Sequence, residues 1–146
     1  MVEFAMVAVV AIFLIVIAIQ YALIGQAALA LSQAAFAGAR YLSVNNSYGE
    51  GDLQCYLTGT GTPSAGNTCG PATASPTITK VSDALSIAIS PTTTPRTFGQ
   101  TITVTLTFNT CEAGTIILGN SGGTCSSFLG LSFPTTLTAT ETAMGE

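Results

Sequence analysis

The chain contains no histidine and no tryptophan, and only 3 of its 146 residues are basic. Without histidine, the commonest general base and transition-metal ligand is missing. The three cations, Arg40, Lys80 and Arg96, stand far apart, so no basic cluster exists to attract nucleic acid or anionic lipid. Seven acidic residues leave a net charge of −4, too sparse to read as a polyanionic tail. The closest acidic pair, Glu50 and Asp52, falls in the stretch SVNNSYGEGD, which reads as a turn-rich, flexible linker rather than a catalytic dyad or a calcium site. Gly119-Asn120-Ser121-Gly122-Gly123 has the look of an anion-cradling loop, but no helix pattern follows it, and a plain turn is the better reading. No nucleophile, base and orienting group can be assembled. The sequence is therefore read as non-enzymatic, with no cofactor.

Charge is also missing locally. Between Glu3 and Arg40 there is none, and nearly every residue is Ala, Val, Ile, Leu, Phe or Met. Phe4 to Ile24 is broken only by Gln20 and Tyr21; as a helix these 21 residues span ~32 Å, the hydrocarbon thickness of a bilayer. A cleaved signal peptide has a basic start and a shorter apolar core, and neither is present. An ordinary membrane anchor has the right length but stops at a charged flank. Here the uncharged pattern runs on as GQAALALSQAAFAGAR, Gly25 to Arg40, rich in strong helix formers. One continuous helix from about Val2 to Val44 is expected, ~65 Å long. A helix apolar or small-faced all round must be buried all round. The remaining chain is too small to wrap such a rod, whereas neighbouring copies can, because small side chains let backbones approach closely.

What the helix lacks, the rest supplies. From Tyr41 onward, 23 Thr and 11 Ser fill about a third of the chain. All four cysteines lie there, Cys55, Cys69, Cys111 and Cys125, as two C-x13-C pairs. An even count after a membrane-type segment points to disulfides made outside the cytoplasm. Three pairings are possible; Cys55–Cys69 and Cys111–Cys125 are favoured because short loops close most readily. Zinc is the competing reading, but structural zinc sites usually show C-x2-4-C spacing and often use His. Leu57 to Pro76 reads as a surface loop held by the first bridge.

Thr101 to Phe108 alternates strictly, with Ile102, Val104, Leu106 and Phe108 on one face and Thr on the other. Leu85, Ile87 and Ile89 alternate likewise, as do Leu137, Ala139, Glu141 and Ala143. Thr115 to Leu118 is a further short apolar run, and Val81 to Leu85 is compatible with a short helix. The spacing predicts an antiparallel sheet with one packed and one wet face, its packed face against the outer half of the helix. Threonine faces reflect good β propensity; O-glycosylation is the sharper alternative. Asn45-Asn46-Ser47 matches an N-glycosylation acceptor at Asn45, a short pattern that recurs by chance. The expected fold class is α+β: a hydrophobic helix over residues 1–44 and a small antiparallel β domain over 45–146.

The opening VEFAMVAVVAIFLIVIAIQ resembles the TadE-like pilins of tight-adherence pili, a branch of the type IV pilin superfamily. FAGARYL (Phe36 to Leu42), PRTFGQTITVTLTF (Pro95 to Phe108) and the ending LTATETAMGE (Leu137 to Glu146) agree with it. The Cys-bearing loops carry no such likeness. Two departures stand out: the family glutamate usually sits fifth after cleavage, and here it is third; and Met6-Val7-Ala8-Val9 replaces a common proline, which favours an unkinked helix. The resemblance implies a precursor cut by a prepilin peptidase, a subunit held in the cytoplasmic membrane, and self-assembly by a pilus machinery into a surface filament for adhesion. It also implies that Glu3 neutralises the α-amino group of a neighbouring subunit, with Met1 and Phe4 beside it at the assembly end. The physics agrees, since a carboxylate entering an apolar bundle needs a cation and no Lys or Arg precedes Arg40. A minor tip or priming pilin, and a monomeric membrane-anchored binding domain, are the alternatives.

Overall fold

The computed structural model describes residues 2–63, 69–71, 85–111, 120–121, 124–125 and 134–145, the side chains of 2–5 and of 120–125 excepted. The fold is α+β. A single helix α1 (Val2–Val44) is followed by a short helix α2 (Glu50–Thr58) and the strands β1 (Leu85–Ser90), β2 (Thr101–Asn109), β3 (Asn120–Ser121), β4 (Thr124–Cys125) and β5 (Thr136–Met144). The main sheet is antiparallel in the order β1-β2-β5, and β3 and β4 pair separately.

Alternation determines the sheet. In β1 and β2, Leu85, Ile87, Ile89, Ile102, Val104, Leu106 and Phe108 are buried. Register sets them side by side, with Leu85 opposite Phe108, Ile87 opposite Leu106 and Ile89 opposite Val104. β5 continues the same face, pairing Leu137, Ala139, Glu141 and Ala143 with Phe108, Leu106, Val104 and Ile102. These β5 residues are half-buried, as an edge strand at the rim of a core would be.

That face packs on one side of α1. Ala27, Leu31, Ala34, Ala35, Ala39 and Leu42 are buried in the same cluster, at the spacing of one helical face. Alanines dominate it, so the helix axis can lie close to the sheet. Nine residues of strand cover ~30 Å, about the length of the last twenty residues of the helix. The sheet therefore clothes the outer half of the rod. Below it, Gln20 and Ile24 are buried, while Val7, Val9, Val10, Ile12, Leu14 and Ile15 are exposed.

Helix α2 corrects the expectation of a flexible linker at Glu50 and Asp52, and of a loop beginning at Leu57. Its N-terminus is capped by Asp52, whose Oδ2 accepts the Gly49 N–H at 2.9 Å, one half of a capping box. Its C-terminus ends on Gly59 in the left-handed region, φ 72°, with the Gly59 N–H donating to the Cys55 carbonyl, the glycine-favoured stop. Leu53 and Leu57 are fully buried, each contributing about 2 kcal/mol. Leu53 sits over Gly38, where an added Cβ would lie 2.9 Å from Leu53 Cδ1; glycine there is what lets the two helices touch. Of the other expectations, Leu85 opens β1 rather than closing a helix. Val81 to Asp83, Ala84 and the run Thr115 to Leu118 lie outside the described residues.

Candidate assembly surface

On the clothed half of α1, the side turned away from the sheet carries large apolar side chains among its polar ones. Leu29, Phe36 and Val44 are 66%, 61% and 63% exposed, and with Gly25, Gln26, Gln33 and Arg40 they form one stripe at helical spacing. A helix that needed only its own sheet would carry charged and polar residues there. The stripe runs without a break into the bare apolar lower half. Met6 to Val44 is long and apolar enough to cross a membrane.

Of the residues implied at the assembly end, Glu3 and Phe4 lie in the first turn of α1, while their side chains and all of Met1 lie outside the described residues. The outer half of the rod, which the sequence marked only as small-faced, also carries large exposed side chains. Spacing was the available signal: Leu29 and Phe36 are seven apart, Phe36, Arg40 and Val44 four apart.

Above the stripe, the junction of α1 with α2 is tied down. Tyr41 stacks on Tyr56 with ring centroids 4.1 Å apart, and Tyr48 lies 5.7 Å from Tyr41. Asn45 Nδ2 donates to the Tyr41 carbonyl at 2.9 Å, so the nitrogen that would carry a glycan is engaged by its own helix end. Arg96, in the β1–β2 loop, is buried. Its backbone N–H donates to the Asn46 carbonyl at 3.0 Å and its Nη1 to the Tyr48 carbonyl at 2.9 Å. Burial lowers the guanidinium pKa from its ordinary value. Sequence reasoning treated Arg96 as one of three scattered cations; its role as a clasp between loop and helix end depends on tertiary contact.

The Cys55–Cys69 bridge is formed, with Cα atoms 5.1 Å apart across 14 residues of sequence. Cys111 is disulfide-bonded as well; the side chain of Cys125 lies outside the described residues, though its backbone pairs with Asn120. No group of three or more His, Cys, Asp or Glu able to hold a metal ion occurs among the described residues. A loop of this length confers roughly 3 kcal/mol when closed. Replacing Cys55 and Cys69 together by serine is expected to lower unfolding stability by about that amount, read by denaturant titration of the detergent-solubilised chain. A loss below about 0.5 kcal/mol would show the loop to be passive.

No family model, curated protein or solved structure matches this chain. The surface is that of an apolar rod, half covered by its own sheet, with large side chains left outward on the covered half.

Proposed function

We propose that this chain is a pilin, the structural subunit of an extracellular type IV pilus-like filament of the TadE-like kind, used for adhesion or surface attachment. The supporting observation is the outward stripe of Leu29, Phe36 and Val44 on the part of α1 already packed against the sheet. In a membrane anchor, apolar exposure ends where the bilayer ends. Here it continues along the rod to Val44, and sister rods are the chemistry that would bury it. Assembly moves α1 from lipid to a core of identical helices, trading one apolar environment for another, with close packing as the driving term. The sheets form the outer sheath. The chain does no catalysis; its partners are copies of itself, the pilus machinery and the prepilin peptidase, with the cytoplasmic membrane holding it before export.

Glu3 would steer docking by meeting the α-amino group of a neighbour, since a carboxylate in an apolar bundle needs a paired cation. The test is negative-stain microscopy of material sheared from cells. Filaments containing this chain are expected, and Glu3→Ala cells are expected to keep the protein in the membrane and lose the filaments. Recovery only from detergent-extracted membranes would support a solitary anchored domain. Normal filaments from Glu3→Ala would remove Glu3 from the mechanism.

A further inference from the structure

Where α1 ends and α2 begins, three tyrosines meet around a cavity of about 310 Å³. Tyr41 and Tyr56 are stacked nearly parallel, with centroids 4.1 Å apart, and Tyr48 stands 5.7 Å from Tyr41 with its ring tilted by 39°. Pro63 and Pro71 line it as well. Pro71 is two residues beyond Cys69, whose bridge to Cys55 ties that part of the wall to α2. A space of this size is a small-molecule site rather than a packing defect.

The same wall holds a carboxylate. Asp52 lines the cavity although it is only 4% exposed. Its Oδ2 caps α2 by accepting the Gly49 N–H. A cap needs only the oxygen, and placing the group under cover adds a desolvation cost that a cap in open solvent does not carry. No Lys or Arg lines the cavity among the described residues, and Arg96 reaches the Tyr48 carbonyl without being part of the wall.

This wall selects by charge. Aromatic faces carry a negative quadrupole, and a cation is held on them most strongly where water is excluded. The carboxylate adds a full negative charge, so anions are repelled. A primary ammonium brings three N–H donors that each want an acceptor, and Oδ2 of Asp52 is already engaged. A quaternary ammonium brings none. Its charge is spread over methyl groups that pack on tyrosine and proline alike.

We propose that the cavity walled by Tyr41, Tyr48, Tyr56 and Asp52 binds a small quaternary ammonium compound of choline size. Tyr48 and Asp52 lie off the exposed stripe of α1, so the site is tested on the solitary chain and stands apart from filament formation.

The full chain, in a detergent free of choline headgroups, is titrated with choline while tyrosine fluorescence is followed. Three of its four tyrosines line the cavity and no tryptophan masks them. Saturable binding with a Kd of about 1 mM or lower is expected. The uncharged tert-butyl analogue of choline is expected to bind about tenfold more weakly or worse. Asp52→Asn keeps a carbonyl oxygen for the α2 cap and should lose about tenfold in affinity. Tyr48→Phe keeps the ring face and should bind as the parent does, whereas Tyr48→Leu should lose about fivefold. Equal affinity for choline and its analogue overturns the proposal, and so does the absence of saturable binding. Saturation by a neutral monosaccharide with choline inert would assign the cavity to sugar stacking and overturn it too. The comparison of choline with its analogue uses the unaltered chain, so it decides the matter even where a variant fails to fold.

Discussion

Phe36→Glu is expected to abolish filaments while leaving the subunit folded. Phe36 is exposed and belongs to the face of α1 turned from the sheet. In the solitary subunit, such a surface change should alter stability by no more than about 0.5 kcal/mol. Between packed rods it does two things at once. It forfeits burial of a phenylalanine, about 2–3 kcal/mol, and it desolvates a carboxylate, at several kcal/mol more. Both penalties recur in every subunit, so the effect on polymer is all or none. Parallel measurements on one preparation decide it: filament yield after shearing, and unfolding of the detergent-solubilised chain. Wild-type filaments would show that this face is not an interface.

The second large effect concerns the sheet rather than the polymer. Phe108→Ala is expected to destabilise the β domain by about 3–5 kcal/mol, the usual cost of deleting a buried phenylalanine. Phe108 is fully buried, with Leu85 and Leu137 as its cross-strand neighbours. Leu85 and Leu137 are held in place by strand register, and the helix face opposite is chiefly alanine, so the space would refill poorly. Thr107→Ala, one residue away on the other face, should cost about 0.5 kcal/mol or less. Denaturant unfolding of the two variants in detergent measures the difference. Equal midpoints would mean that the inner and outer faces of β2 have been assigned the wrong way round.

How far the fold could be read in advance depended on whether local pattern or tertiary contact made each element. α1 was legible because little interrupts it: no charge, no proline and only Gly25 and Gly38 as weak helix formers from Phe4 to Ala39. β2 was legible because Ile102, Val104, Leu106 and Phe108 alternate with threonine without exception, and β1 and β5 follow the same rule. α2 was not. EGDLQCYLT carries an internal glycine and two acids and sits among turn residues, so its local preference is weak. What holds it are Leu53 on Gly38, the Tyr41–Tyr56 stack and the Cys55–Cys69 bridge, none of which a local window contains. Asp52, taken from sequence as part of a solvated turn, is buried as a cap for the same reason.

The candidate surface divides in the same way. That the rod is too apolar to stand alone follows from composition. Which side of its outer half stays uncovered depends on where the sheet lands, and Ala, Gly and Gln between the large side chains dilute any moment the sequence could display. In the sequence Arg40 only marks the end of the uncharged run; the placement of Phe36 and Val44 one turn to either side makes it part of a ridge. Glu141 read as one step of an alternating strand, and its register opposite Val104 is what sets a carboxylate on the apolar side.

The outward side of the sheet has a consequence of its own. Thr101, Thr103, Thr105 and Thr107 on β2 share it with Ser86 and Ser90 on β1 and Thr136, Thr138, Thr140 and Thr142 on β5, and Thr105 and Thr140 hydroxyls lie 3.3 Å apart. A wall of hydroxyls has no field for salt to screen and no group that titrates between strong acid and strong base. Its grip on water, and on any other hydroxyl-covered material, is set by hydrogen bonds that brine, acid or alkali leave in place.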